Sequence, residues 1–213
     1  GFIGFHLRNT IKQYKDYQLI SFERQFFENE NHLDKFISSC DVVVHLAGLN
    51  RHNDEESLLK TNIDLATKLS DSITRVNFKK KLIFLSSIHE TSDSAYGISK
   101  LKSRNVLTES SKKIGYSLTS LIVPNVFGPF CEPNYNSFIA NFCHSLINNN
   151  KTNIIIDDDV KLIYIQNLVS NIIDEFNTSS NYKKVIPFDI KLKVSEVLKV
   201  LNYFKELYIK KDV

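Results

Sequence analysis

Short continuous apolar runs alternate along this chain with longer stretches in which apolar side chains recur every three or four positions. Lys81 to Leu85 (KLIFL) and Asp41 to Ala47 (DVVVHLA) read as strands buried on both faces, the pattern of a parallel sheet. Tyr17 to Phe22 suits a further strand, Asn31 to Ser38 a short helix and Glu55 to Thr74 a long one. Tyr96 to about Ile114 reads as another helix, Thr119 to Val123 as a strand, and Pro124 to Pro133, rich in Asn, Gly and Pro, as a turn. Such alternation predicts βαβ units with right-handed crossovers, hence an α/β, Rossmann-like, doubly wound parallel sheet. Beyond it, NYNSFIANFCHSLI reads as helical and TNIIID as a short strand. Val194 to Tyr208 reads as an amphipathic helix carrying Val194, Val197, Leu198, Leu201, Phe204 and Tyr208 on one face. We expect a core over residues 1–133 and a small C-terminal lobe over 134–213, mostly closing over a substrate, with some elements returning to the core.

The chemistry concentrates at the end of the KLIFL run. Ser86 and Ser87 would sit at the C-terminal end of a buried parallel strand, where open α/β sheets place their ligands. Tyr96 and Lys100 follow, four apart and therefore on one helical face. An ammonium beside a phenol lowers its pKa, which suits the phenol to exchange a proton with a carbonyl or alcohol oxygen that a serine hydroxyl orients. The chain opens on Gly1-Phe2-Ile3-Gly4 followed by FHLRNTIKQY, a helix-like stretch. These four residues read as the back half of a glycine-rich turn into a helix that receives a pyrophosphate. With no methionine in its 213 residues and no strand ahead of that turn, the chain reads as a fragment whose first strand is missing.

Composition narrows the class. A hydrophobic content of 42% is enough for one substantial core. A net charge of +3 with scattered lysines argues against a nucleic acid or membrane partner, and no apolar run is long enough for a bilayer span. Cys40, Cys131 and Cys143, odd in number and without C-x-x-C spacing, favour a reducing cytoplasm. No metal is expected, since the histidines lack ligand spacing and Asp157-Asp158-Asp159 reads as a solvated turn. His45, inside a buried strand, reads as a hydrogen-bonded core residue.

The ordered set Gly1-Phe2-Ile3-Gly4, His45-Leu46-Ala47-Gly48, Thr61-Asn62, Ser86-Ser87, Tyr96-Gly97-x-Ser99-Lys100 and Pro124-Asn125-Val126-Phe127-Gly128 resembles the extended short-chain dehydrogenase/reductases (the NAD-dependent epimerase/dehydratase family) acting on nucleotide sugars. HLAGLNR (His45 to Arg51), the short gap from Ser87 to Tyr96, and FGPFCEPNYNSFIANFC (Phe127 to Cys143) bring the likeness closer. They resemble the reductase domain of bacterial enzymes that make the UDP-N-acetyl-L-fucosamine precursor of capsules and O-antigens. The resemblance implies NADPH-dependent reduction of the C4 ketone of a UDP-2-acetamido-2,6-dideoxy-4-hexulose, with a cupin domain following in bifunctional members; it admits a homodimer. It implies Tyr96 as general acid and Lys100 as the residue that lowers its pKa and holds the nicotinamide ribose. Ser87 would hydrogen-bond the ketone oxygen, with Ser86 as the fallback. Gly1, Phe2, Ile3 and Gly4 would receive the pyrophosphate, while Leu46, Ala47, Gly48 and Asn62 border the cofactor. Asn125, Asn134, Tyr135 and Asn136 would face the nicotinamide and the sugar.

Cofactor choice turns on Ser21-Phe22-Glu23-Arg24. Arg24 would meet the 2′-phosphate of NADP, and Glu23 can instead accept the 2′-hydroxyl of NAD; NADP is favoured over NAD. Two other functions stay open. One is an NAD-retaining 4-epimerase or 4,6-dehydratase, although a dehydratase commonly has Asp-Glu where this chain has Ile88-His89. The other is a non-catalytic NADP-binding regulator or an inactive remnant.

Overall fold

The computed structural model describes residues 1–135 and 137–210. Its strands are β1 (Val42–His45), β2 (Lys81–Ser87), β3 (Ser117–Val123), β4 (Asn125–Phe127), β5 (Asp159–Tyr164), β6 (Tyr182–Val185) and β7 (Ile190–Lys193). Its α-helices are α1 (Phe2–Ile11), α2 (Glu30–Ser39), α3 (Glu55–Arg75), α4 (Ala95–Ile114), α5 (Phe138–Ile147), α6 (Ile165–Ile173) and α7 (Val194–Lys210), with single 3-10 turns at Arg24–Glu28 and Ile88–Thr91.

The principal sheet runs in the order β1-β2-β3-β6, parallel throughout, which confirms the doubly wound α/β reading. Strand β2 is buried at every position, as its unbroken apolar run dictates when helices cover both faces of a parallel sheet. The core beside it gathers Ile37, Val43, Leu69, Ile73, Leu82 and Leu107 from α2, β1, α3, β2 and α4. Helix ends are set by short polar side chains. Asp54 accepts from the N–H groups of Glu56 and Ser57 at the start of α3, and Ser94 from Gly97 N at the start of α4. Gly115, at φ 87°, closes α4 in the left-handed conformation that glycine adopts without a Cβ clash.

Contacts divide the chain into two compact units, one over Ile3–Val123 and Val169–Ile186, the other over Pro124–Leu168 and Pro187–Val213. The second has its own sheet, β4 parallel to β5 and β5 antiparallel to β7, with α5 packed on α7.

Three expectations are corrected. Tyr17 to Phe22 forms no strand: β1 pairs only with β2, so no ladder partner lies beside that segment among the described residues. Its aromatic rings pack instead, Phe22 at 5.0–5.4 Å from Phe26, Phe27 and Phe36, and Tyr17 at 5.3 Å from Phe176. Thr152 to Asp157 is not a strand either. Ile155 and Ile156 are exposed, Asp157 binds Ser195 at the start of α7, and pairing begins only at Asp159. The turn from Pro124 to Pro133 contains β4, which pairs with the unforeseen end of β5.

The first turn of α4 presses against the Ile88–Thr91 turn at Gly97, where an added Cβ would lie 2.1 Å from His89 O. No side chain can yield there, because the obstacle is backbone. Gly97→Ala is therefore expected to lower stability by at least about 1–3 kcal/mol, the usual cost of overpacking. Thermal unfolding checks this against Gly1→Ala, whose Cβ would meet nothing within 4 Å; equal melting temperatures for the two would contradict the contact.

Candidate active site

Four residues at the C-terminal end of β2 and on α4 come together. Ser87 ends the strand and caps the 3-10 turn, its Oγ accepting from His89 N at 3.2 Å, and its hydroxyl is the polar side chain that acts on the Tyr96 phenol. Ser86, the fallback, donates instead to Glu90 Oε2 at 2.7 Å, so its hydroxyl is engaged elsewhere. The exposed His89 ring lies edge-on to Tyr96 at 6.5 Å. Lys100, one helical turn beyond Tyr96, is buried and donates from Nζ to Leu85 O at 2.7 Å.

The environment of Lys100 sets the electrostatics. Its ammonium sits 5.0 Å over the Phe84 ring, and Phe84 stacks at 5.7 Å on His45, its register partner across the β1-β2 ladder. Burial, which disfavours the charged form, pushes Lys100 down to about 8. Burial and the neighbouring Lys100 charge push His45 down to about 3, so its imidazole is neutral. The Tyr96 phenol is raised, first by burial, with the Ser87 hydrogen bond acting in the opposite direction. The expected lowering of Tyr96 by Lys100 is thus not seen: the ammonium is committed to a strand carbonyl, and Ser87 is the group that acts on the phenol.

Asn62, buried on α3, holds the loop that follows β1. Its Oδ1 accepts from Leu49 N at 2.6 Å, and its Nδ2 donates to Leu49 O at 2.8 Å and to Ser99 Oγ at 2.9 Å. Ser99 Oγ in turn donates to Tyr96 O at 2.7 Å. The side-chain amide of Asn62 therefore ties the Leu46-Ala47-Gly48 loop to the backbone of Tyr96. At Gly48 a Cβ would come within 3.1 Å of Asn62 Oδ1.

Helix α1 begins at Phe2 with Gly1, which has no side chain to cap it, as its N-cap. The N–H groups of Ile3 and Gly4 have no partner within the helix, the arrangement that receives an anion. Gly4 lies against the loop after β1, since a Cβ there would be 3.5 Å from Leu46 Cδ1. A helix start at a glycine, with space for a Cβ at Gly1 and the Leu46–Gly48 loop adjacent to Gly4, fits a dinucleotide. Arg24 opens the first 3-10 turn and is exposed, while the neighbouring Glu23 carboxylate accepts from Gln25 Nε2.

The remaining predicted residues belong to the second unit. Asn125 begins β4; Asn134, at φ 59°, donates its backbone N–H to Asn141 Oδ1; Tyr135 is exposed; Asn136 lies outside the described residues. Sequence reasoning missed Glu90 and Arg104, whose part-buried ion pair adjoins Ser86. The signal available was faint: an arginine one turn past Lys100, and a glutamate in the short link that joins Ser87 to Tyr96. Among the described residues no group of three or more His, Cys, Asp or Glu is placed to hold a metal, and no helix is long and apolar enough to cross a membrane.

Comparison with known proteins agrees with this geometry. The family described as NAD dependent epimerase/dehydratase matches residues 1–169. The UDP-2-acetamido-2,6-beta-L-arabino-hexul-4-ose reductase of Pseudomonas aeruginosa is 31% identical over 176 residues, 79% of this chain and 45% of that protein. The capsular polysaccharide assembling protein CapF from Staphylococcus aureus superposes with a TM-score of 0.82 at 29% identity, over 99% of this chain and 57% of that one. The UDP-glucose 4-epimerase of Thermotoga maritima, at 20% identity, shares the fold with a TM-score of 0.83 over 95% of this chain and 79% of its own. The chain spans about half the length of the reductase and of CapF. Since the matched region takes in the α1 start, the Ser87-Tyr96-Lys100 constellation and most of the second unit, the chain belongs to the NAD dependent epimerase/dehydratase family.

Proposed function

We propose that this chain carries out NADPH-dependent reduction of the C4 ketone of a UDP-2-acetamido-2,6-dideoxy-4-hexulose, in a cytoplasmic pathway to capsule or O-antigen nucleotide sugars. The observation that carries the proposal is the placing of Ser87 at the C-terminal end of β2 with Tyr96 and the buried Lys100 one turn apart on α4, Lys100 Nζ bonded to Leu85 O of that strand. The likeness to a 4-ulose reductase supports the choice of substrate.

A bound nicotinamide cofactor supplies the hydride. The protein supplies the rest. The start of α1 and the Leu46–Gly48 loop bind the pyrophosphate side, with Asn62 keeping that loop in place. Ser87 Oγ orients the ketone oxygen, and Tyr96, whose raised pKa keeps it protonated near neutral pH, donates the proton that this oxygen needs as it becomes an alkoxide. Lys100, still largely charged at pH 7 with a pKa of about 8, stabilises negative charge developing on that side of the site. Arg24 reads the 2′-phosphate, a reading supported by the prior engagement of Glu23 with Gln25.

Tyr96→Phe removes the proton donor and keeps the ring. It is expected to leave NADPH affinity unchanged and to slow single-turnover reduction of the 4-keto sugar by on the order of a hundredfold. Equal rates for variant and parent would take Tyr96 out of the chemistry.

Arg24→Ala tests the cofactor assignment by titration with both reduced dinucleotides. A charge-assisted contact to the 2′-phosphate is worth about 1.5–3 kcal/mol, so NADPH should weaken by about ten- to a hundredfold while NADH changes little. An unaltered preference would make Glu23 the reader and favour an NAD-retaining epimerase.

A further inference from the structure

Glu90 is the most buried carboxylate beside the candidate site, at 5% exposure, and it is fully engaged. Its Oε2 accepts from Ser86 Oγ at 2.7 Å and from Arg104 Nε at 3.0 Å, and its Oε1 accepts from Arg104 Nη2 at 3.1 Å. Lys183 Nζ on β6 stands 3.9 Å away. Three elements therefore converge on one carboxylate: the end of β2 through Ser86, the middle of α4 through Arg104, and β6 through Lys183. Glu90 itself belongs to the Ile88–Thr91 turn that Ser87 caps, and that turn meets α4 at Gly97 with no room for a methyl group.

A part-buried pair of this kind gains little over apolar side chains of the same volume, because desolvating the carboxylate, and in part the guanidinium, offsets much of their attraction. What it does supply is geometry, since a two-pronged guanidinium–carboxylate contact fixes distance and orientation together. We infer that the Glu90–Arg104 pair is a positioning device that holds the Ile88–Thr91 turn on α4 and thereby fixes where Ser87 Oγ, which caps that turn, stands relative to the Tyr96 phenol. Neither residue touches substrate; both act through Ser87. The kinetic consequence rests on the reductase reading, whereas the structural consequence does not.

The test uses the full chain with two readouts. The first is the 13Cζ-tyrosine NMR resonance of Tyr96, assigned by its loss in Tyr96→Phe and calibrated by its position in Ser87→Ala. The second is steady-state reduction of UDP-2-acetamido-2,6-dideoxy-4-hexulose by NADPH. In the double variant Glu90→Leu/Arg104→Leu, which removes both charges at once, the Tyr96 resonance should move to its Ser87→Ala position. The kcat should fall about tenfold or more with KM within about twofold, as expected when reacting groups are misplaced rather than lost. Arg104→Lys, which keeps the charge and loses the fork, should recover part of both. If the double variant does not fold, Glu90→Gln carries the same two readouts. A folded variant whose Tyr96 resonance matches the parent overturns the inference. A parent that fails to reduce the ketone overturns the reductase reading instead, and the resonance then decides the positioning role alone.

Discussion

Everything at the candidate site is arranged around an ammonium that the fold has taken out of water. Lys100 reaches it because α4 must lie close against β2 to cover an apolar strand, and the helix then delivers a side chain four residues past Tyr96 into the layer beneath. A charge there is tolerable only with a strong acceptor at hand. The Leu85 carbonyl provides one at 2.7 Å, the Phe84 face provides a second favourable surface, and the remaining penalty lowers the lysine to about 8. Burial, aided by the same charge, keeps the neighbouring His45 neutral, which makes an imidazole in a buried strand compatible with the core.

The phenol is governed by a different partner. Burial alone would leave Tyr96 a poor acid, and Ser87 is the hydroxyl that works against that effect. Ser87 also accepts from His89 N, so the turn that brings Glu90 to Arg104 is capped by the very hydroxyl that meets the phenol. The backbone of Tyr96 is held from the other side, through Ser99 and Asn62, by the loop that follows β1. The loop after β1 and the backbone carbonyl of Tyr96 are thus linked by three consecutive hydrogen bonds, with no charged group in the path.

Much of this is legible in the residues because it is local. The buried run of β2 and the four-residue spacing of Tyr96 and Lys100 depend on pattern and appear where the pattern puts them, whereas the first helix starts at Phe2, inside the stretch read as a turn, and ends at Ile11. What failed depends on partners. Tyr17 to Phe22 has strand composition but no neighbour to form a ladder with, and its rings found a better use in the cluster around Phe36. Helix α6 is instead a missed local pattern, since Gln166, Asn167, Ser170 and Asn171 form a polar face opposite Ile165, Leu168, Val169 and Ile172, which are all completely buried. The Lys100 contact to Leu85 and the Glu90–Arg104 pair join residues fourteen or fifteen positions apart, a separation at which charge and hydroxyl patterns predict nothing.

The central claim is that this constellation delivers a proton to a ketone oxygen while a hydride is added at the adjoining carbon. The most direct measurement follows the label. The protein is given NADPH deuterated at the transferable position together with UDP-2-acetamido-2,6-dideoxy-4-hexulose, and the products are read by mass spectrometry and NMR. The account predicts one deuterium on C4 of the sugar for each NADP formed. Sugar that is epimerised or dehydrated with the label still on the nucleotide would contradict it.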